Sequence, residues 1–162
     1  MIVSGRRLLL GGSDWDYVVP YQEDVSAALK MAQEKAFREG DYYWPYDGRF
    51  GLPERPRPDS EDDLWEDEVV QETLTHSVLD MFGLSRIGWE PEVLHAAPLT
   101  PEITREVFGS EWPTRADYDR ASDVMWDIVA RDRGYGNGYG SYVVLYRDDA
   151  PDEIAFFGIT GD

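Results

Sequence analysis

Residues 41–60 constrain the fold of this chain more than any other stretch. The segment, DYYWPYDGRFGLPERPRPDS, contains four prolines and five aromatic residues. Because proline lacks a backbone N–H and has a fixed φ, Pro53, Pro56 and Pro58 exclude a regular helix or strand here. An irregular segment of this length is uncommon inside a small domain and often carries function. We therefore predict a long ordered loop or a flexible lid.

Hydrophobic periodicity predicts regular elements on both sides of this loop. They are a strand over 15–21, a helix over about 23–39 closed by Gly40, an acidic helix over 60–72, short strands over 75–81, 85–89 and 92–97, a helix over about 100–108 with Thr100 and Pro101 at its start, a helix over 114–131, and strands over 142–147 and 154–159 joined by a turn at 148–152. This order predicts one α+β domain over residues 1–162. We expect a mainly antiparallel sheet, about four helices and a C-terminal β-hairpin.

The charge of the chain restricts its partners. It contains 33 acidic and 15 basic residues, which gives a net charge of −18. A phosphate backbone or an anionic membrane would be repelled, so we expect neither direct nucleic-acid binding nor membrane binding. Basic proteins and cations are compatible with this charge, and solubility alone is the simpler explanation of it.

The chain contains no cysteine. Disulfides, thiol catalysis and cysteine-ligated metal centres are therefore excluded. Arg6 and Arg7 precede three leucines, but Gly11 ends that apolar run too early for an export signal, so we predict a short buried strand. No stretch approaches the roughly 20 apolar residues of a membrane span. These features together predict a cytoplasmic protein.

Four glycines alternate along the segment RDRGYGNGYGSY. They are Gly134, Gly136, Gly138 and Gly140. Phosphate-binding loops usually follow a strand and open a helix, whereas this segment leaves a helix and leads into a strand. We therefore interpret it as a helix C-terminus followed by a flexible connection, and not as a phosphate site.

The acidic helix is the strongest candidate for an interaction surface. Eight acids and no base lie between Asp59 and Glu72, so the helix lacks the i, i+4 pairs that relieve repulsion. It follows the aromatic loop directly, and Trp and Tyr commonly anchor interfaces. A solvated amphipathic helix is the alternative interpretation. The predicted partner-binding residues are Asp62, Asp63, Trp65, Glu66, Asp67, Tyr43, Trp44 and Tyr46.

An enzymatic hypothesis uses His76, Asp80 and His95. These residues fall on predicted strands and would line a cleft, with the 41–60 loop as a lid. Histidines held by hydrogen bonds in the fold are the alternative, because no metal-ligand spacing is present. The segment GLSRIG, residues 83–88, misplaces the second glycine of a hydrolase elbow. We predict no catalytic residue, metal ligand or cofactor.

Several short blocks spread over most of the chain give it a family resemblance. They are Pro20-Tyr21 with Asp24, Phe37 with Gly40 and Tyr42, Ser77-Val78-Leu79-Asp80, Phe108-Gly109 with Pro113-Thr114, Tyr142-x-Val144-x-Tyr146, Pro151-Asp152-Glu153-Ile154 and Phe156-x-Gly158. On these blocks the chain resembles a group of small, uncharacterised bacterial proteins. The resemblance implies a discrete fold and no particular activity.

The leading hypothesis is therefore a cytoplasmic interaction protein, most concretely an immunity protein or inhibitor. Its acidic and aromatic face would occlude a basic partner protein such as a toxin. The second hypothesis is an enzyme that acts on a small molecule or sugar. A regulatory or structural protein without a function for the acidic face is the third.

Overall fold

The computed structural model describes residues 8–9, 12–88, 90–132 and 137–161. Its regular elements, in chain order, are β1 (Leu8–Leu9), β2 (Gly12–Pro20), α1 (Val25–Glu39), α2 (Glu61–Trp65), α3 (Glu68–Thr73), a 3₁₀ helix (Val78–Asp80), β3 (Ala96–Pro98), α4 (Pro101–Phe108), α5 (Arg115–Asp132), β4 (Tyr139–Arg147) and β5 (Ala150–Thr160). The strand predicted after Arg6 and Arg7 corresponds to β1, of which the structure describes Leu8 and Leu9.

The strands form one sheet in the order β1-β2-β5-β4-β3. Every neighbouring pair is antiparallel except β3 and β4, which are parallel. The predicted fold class, α+β with a mainly antiparallel sheet and a C-terminal hairpin, is confirmed. The described residues contain five α-helices and one 3₁₀ helix, where we predicted about four helices.

Alternation along β5 divides the core between the two faces of the sheet. Ile154 and Phe156 pack on one face, with α1 and the 41–60 segment. Ala155 and Phe157 pack on the other face, with α4 and α5. Because successive side chains of a strand point in opposite directions, a strand buried on both faces is apolar at every position.

Capping residues set the ends of α1 and α4. Gly40, Thr100 and Pro101 have the positions that the sequence predicts, whereas Asp24 was expected inside a helix beginning at about residue 23 and instead caps it. Asp24 accepts a hydrogen bond from the Ser26 N–H at 3.0 Å, and Gly40 ends α1 with a φ of 65°. Thr100 accepts from the Ile103 N–H at 3.2 Å, with Pro101 in the first turn of α4. Because these caps are local hydrogen bonds, the predicted bounds of α1 and α4 lie close to the observed ones.

The acidic helix predicted over 60–72 is two helices. α2 ends at Trp65, and Asp67 caps α3 by accepting from the N–H groups of Val69 at 2.9 Å and Val70 at 3.1 Å. The single-helix prediction was wrong because the Asp67 carboxylate stabilises a new helix start in the middle of the acidic run.

The three short strands predicted between 75 and 97 were largely wrong. Residues 75–81 contain a 3₁₀ helix with a capping box, in which Ser77 accepts from the Leu79 N–H and Asp80 accepts from the Ser77 N–H. The segment 85–89 forms no strand in its described part, and Trp89 lies outside the described residues. The third strand is confirmed only as β3.

The predicted hairpin turn was too long. The turn is formed by Asp148 and Asp149 alone, with φ values of 52° and 63°, so β5 already begins at Ala150. Pro151 lies within β5, where the register shifts opposite Leu145 and Tyr146. Aspartate tolerates the left-handed conformation that such a tight turn requires.

Candidate functional site

Helix α2 directs three carboxylates to solvent. Ser60 starts the helix by accepting from the Asp63 N–H at 3.1 Å, and the completely buried Leu64 fixes it to the core. Asp62, Asp63 and Glu66 are exposed as a consequence. A five-residue helix is marginal in isolation, so its orientation depends on Leu64 and on the Ser60 cap.

These carboxylates are not neutralised within the described part of the chain. The ion pairs observed there involve other acids, and none includes Asp62, Asp63 or Glu66. On the same helix, burial and then the nearby Glu34 carboxylate raise the pKa of Glu61 above its ordinary value, while Lys30 acts in the opposite direction. The acidic surface therefore retains like-charge repulsion, as its sequence predicts.

Asp67 has a structural role that distinguishes it from the other acids. Besides capping α3, it accepts from the Tyr46 hydroxyl at 3.0 Å and from Arg55 Nη2 at 2.8 Å. Burial alone would raise its pKa, but the hydrogen bonds from Val70, Tyr46, Arg55 and Val69 together lower it. Its charge is thus used inside the fold.

Two of the predicted aromatic contacts are buried in this structure. Trp44 donates from its indole to the Arg55 carbonyl at 2.9 Å. The Arg55 guanidinium lies over the Tyr46 ring, 3.5 Å from the ring centroid. Both side chains are core residues of the 41–60 segment, so neither ring is exposed for contact with a partner. Tyr43 is half-buried and packs edge-on against Phe50, with ring centroids 5.1 Å apart.

An aromatic pair lies beside the α2 acids; the sequence predicted one member, Trp65, and not the other, Phe82. Trp65, at the end of α2, packs against Phe82 with ring centroids 5.1 Å apart. Phe82 is 57% exposed, although an isolated Phe in a loop gives no sequence signal. Asp62, Trp65 and Glu66 are spaced i, i+3 and i+4 along one side of the helix.

We call this surface the acidic–aromatic face and define it by Asp62, Asp63, Trp65, Glu66 and Phe82. It combines exposed, unneutralised carboxylates with an exposed aromatic ring that has its own packing partner. Because the Phe82 ring already packs against Trp65, less conformational entropy is lost when a partner covers it.

The carboxylate of Asp80 is completely buried. It accepts from the N–H and the hydroxyl of Thr75, both at 2.7 Å, from the Ser77 N–H, and from the Thr160 hydroxyl. Thr160 in turn accepts from the Trp15 indole at 3.0 Å. The network joins the 3₁₀ helix to β5 and β2. A substrate has no access to Asp80 in this conformation.

The two histidines have separate surroundings. His76 lies 2.9 Å from the Ser13 hydroxyl through Nδ1, and its ring packs 4.9 Å from that of Tyr43. His95 donates from Nδ1 to the Val93 carbonyl at 2.9 Å. Neither lies on a strand, contrary to our prediction: His76 has a φ of 54°, and His95 precedes β3. Over the described ranges, no three His, Asp or Glu side chains are grouped to hold a metal ion.

The glycine-rich segment is described only from residue 137, so Gly134 and Gly136 lie outside the described residues. Gly138 has a φ of 89° and donates to the Ile159 carbonyl at 2.7 Å. A Cβ at Gly140 would lie 2.3 Å from Met81 Sδ. Both described glycines therefore have local packing or conformational roles at the start of β4.

No helix in the described part of the chain is long and apolar enough to cross a membrane. No protein-family model, curated protein or solved structure matches the chain.

Proposed function

We propose that this protein is a cytoplasmic binding protein whose acidic–aromatic face occludes a basic surface on a partner protein. The most concrete form of the proposal is an immunity protein or inhibitor that covers the positively charged catalytic groove of a toxin. The observation that supports it best is the exposure of Asp62, Asp63 and Glu66 without an internal base, beside the Trp65–Phe82 pair.

Electrostatics would give such a partner a fast approach. Complementary charge steers diffusional encounter and raises association rates by roughly 10- to 1,000-fold at low ionic strength. A net charge of −18 supplies a long-range attraction for any basic protein. The crowded α2 carboxylates would orient that attraction toward one face.

The aromatic pair would supply the contact energy. Trp is enriched among the residues that dominate interface energetics, and such residues act best when neighbouring side chains exclude water. Trp65 is half-buried against the core, and Phe82 projects beside it. The Asp67 hydrogen bonds to Tyr46 and Arg55 hold the adjoining 41–60 segment in place. The face is therefore organised before binding.

The test compares two double variants with the same change of charge. Asp62→Lys/Glu66→Lys reverses the face, and Asp123→Lys/Asp127→Lys reverses two exposed, i, i+4 carboxylates of α5, on the other side of the sheet. The immobilised wild-type chain is first used to capture proteins from the native host at low salt. Association rates of a captured basic protein are then measured for all three chains.

We expect the Asp62/Glu66 variant to slow association at least tenfold more than the α5 variant. Phe82→Ala is expected to raise the dissociation rate, with an unchanged circular dichroism spectrum. Equal effects of the two double variants would show that only net charge matters and would contradict the assigned face. Capture of no basic protein would contradict the proposal as a whole.

A further inference from the structure

The outer edge of β4 is covered by two chain segments with a gap between them. At one end the Leu99 N–H donates to the Tyr142 carbonyl at 3.0 Å. At the other end the Tyr146 N–H donates to the Pro113 carbonyl at 2.8 Å. Between these points the chain leaves the edge to form α4 and the turn that follows it.

Val144 lies in the middle of this gap. Alternate residues of a strand direct their N–H and C=O groups to the same edge. Tyr142 and Tyr146 form their hydrogen bonds to Leu99 and Pro113 on this edge. The N–H and the C=O of Val144 therefore face the gap as well. Pro101 and Pro113, which flank the gap, have no N–H to donate. Across this gap, the described part of the chain supplies neither group with a hydrogen-bond partner.

A pocket of about 250 Å³ opens at the same place. It wraps around the sheet edge, because Tyr142 and Val144 belong to one face of the sheet and Val143 to the other. Trp112 lines it and is 63% exposed. The lining residues are Pro98, Leu99, Pro101, Thr104, Glu111, Trp112, Tyr142, Val143, Val144 and Tyr146.

The charge of the pocket restricts what can bind. Glu111 is the one charged residue among the described residues that line it, and Arg105 forms an ion pair with it at 3.3 Å. No cation is therefore available in the lining for a phosphate or carboxylate, and the net charge of −18 repels anions. Thr104 is polar, but its hydroxyl already donates to the Thr100 carbonyl at 2.8 Å. The other lining residues are apolar or aromatic, which favours a neutral, flat molecule.

The length of the gap excludes an added β-strand. From Tyr142 to Tyr146 a strand advances four residues, or about 13 Å. Both ends are closed by chain that already pairs with β4. An extended peptide long enough to form a ladder would collide with Leu99 or Pro113, whereas a single ring system fits between them.

We propose that this pocket binds a neutral, planar heterocycle of nucleobase size. An adjacent donor and acceptor on the ring edge would pair with the C=O and the N–H of Val144. The ring would lie in the apolar pocket in contact with Trp112. Backbone amide groups at a sheet edge present one donor and one acceptor side by side, and this matches the edge of a nucleobase or a lactam. This site is independent of the acidic–aromatic face.

Chemical-shift titration of the full-length, ¹⁵N-labelled chain tests the proposal. The probes are 9-methyladenine, 1-methylcytosine and 2-pyridone. The matched controls are N6,N6,9-trimethyladenine, N4,N4,1-trimethylcytosine and N-methyl-2-pyridone, in which methylation has removed the remaining donor beside the ring acceptor. We expect saturable shifts of the Val144 amide and the Trp112 indole with at least one probe, at high-micromolar to millimolar concentration. The corresponding methylated control is expected to bind at least tenfold more weakly.

Two variants locate the site. Trp112→Ala removes an exposed ring and is expected to weaken binding about tenfold without changing the fold. Val144→Pro removes the N–H that faces the gap, at a point of β4 where that N–H pairs with no neighbouring strand, and is expected to abolish the shift of the Trp112 indole. Phe82→Ala, on the acidic–aromatic face, is the control and should bind the probe like wild type.

Three results would overturn the proposal. The first is the absence of saturable shifts with all three probes. The second is equal binding of the probes and their methylated controls. The third is binding of a capped tryptophan tripeptide in the absence of heterocycle binding, which would assign the pocket to a side chain of a protein partner instead.

Discussion

Asp80 is an ionisable residue that the fold holds without solvent access. Burial raises its pKa above the ordinary 3.8, although hydrogen bonds from Thr160, Thr75 and Ser77 act in the opposite direction. A carboxyl group with a raised pKa binds its proton more tightly in the folded state than in the unfolded state. Its contribution to the free energy of unfolding therefore falls as pH rises from about 3.8 through the folded pKa.

We predict that Asp80→Asn destabilises the protein by about 1–2 kcal/mol near neutral pH, because the amide NH₂ faces donors that the carboxylate satisfied. The variant does not titrate, so the stability difference from wild type should grow as pH falls from about 7 toward about 4. Urea denaturation over this range measures the difference. Asp63→Asn, at an exposed site, is the control; a difference that stays constant with pH would contradict the assignment.

Gly158 and Gly140 lie in strands, and an added Cβ would meet rigid atoms at the first position and a flexible side chain at the second. A Cβ at Gly158 would lie 2.5 Å from Trp15 Cζ2 and 2.8 Å from the Tyr139 carbonyl oxygen, whereas a Cβ at Gly140 meets the end of the Met81 side chain. We predict that Gly158→Ala costs about 2–3 kcal/mol and Gly140→Ala clearly less, because methionine can adopt another rotamer. Urea denaturation of both variants is the measurement. The reverse order of the two values would contradict the packing described for these sites.

At the scale of the element, the break between α2 and α3 depends on Asp67. We predict that Asp67→Ala destabilises the protein by about 2 kcal/mol, because it removes the α3 cap and the contacts with Tyr46 and Arg55. Asp63→Ala, four residues earlier, should stay within about 0.5 kcal/mol of wild type. Chemical denaturation compares the two variants.

Asp67→Asn separates the two roles of the residue. The asparagine side-chain carbonyl can still cap α3, but the side chain lacks the charge that pairs with Arg55. We therefore expect a loss of stability between those of Asp67→Ala and Asp63→Ala. If Asp67→Ala and Asp63→Ala were equally mild, the cap would not be what divides the acidic run into two helices.

Local signals made some elements predictable and left others ambiguous. Gly40 and Thr100 mark helix ends through hydrogen bonds to residues near in sequence, so the end of α1 and the start of α4 were located correctly, whereas α1 begins after Asp24 and not at residue 23. The alternation over 142–147 and the apolar run over 154–159 likewise located the hairpin. The segment 75–81 alternates too, but its Ser77 and Asp80 form a capping box, and the resulting 3₁₀ helix was mistaken for a strand.

The candidate site was predictable in its charge and only partly in its aromatic residues. The acids of α2 are exposed because the buried Leu64 anchors the helix. The density of acids over 59–72 predicted this charge, although the division into two short helices was not predicted. Trp44 and Tyr46 gave the same signal as surface anchors, yet they are buried through contacts with Arg55. Phe82 meets Trp65 from a distant loop, and such a pairing follows from the tertiary fold alone.

At the scale of the whole molecule, the net charge of −18 destabilises the compact state through self-repulsion. Salt screens interactions between exposed charges over about 10 Å at 0.1 M ionic strength. We therefore predict that the melting temperature rises by several degrees between low salt and about 0.5 M sodium chloride. Differential scanning calorimetry measures this rise, and a flat or falling profile would contradict unrelieved repulsion.

The same calorimetric experiment distinguishes diffuse from local repulsion. Asp62→Lys/Glu66→Lys and Asp123→Lys/Asp127→Lys change the net charge by equal amounts, but only the first relieves the crowding on α2. We expect the first variant to be the more stable of the two at low salt, by about 0.5–1 kcal/mol. We also expect it to show the smaller increase in melting temperature with salt. If the two variants respond identically, repulsion is spread evenly over the molecule, and α2 holds no local excess of negative charge for a basic partner to neutralise.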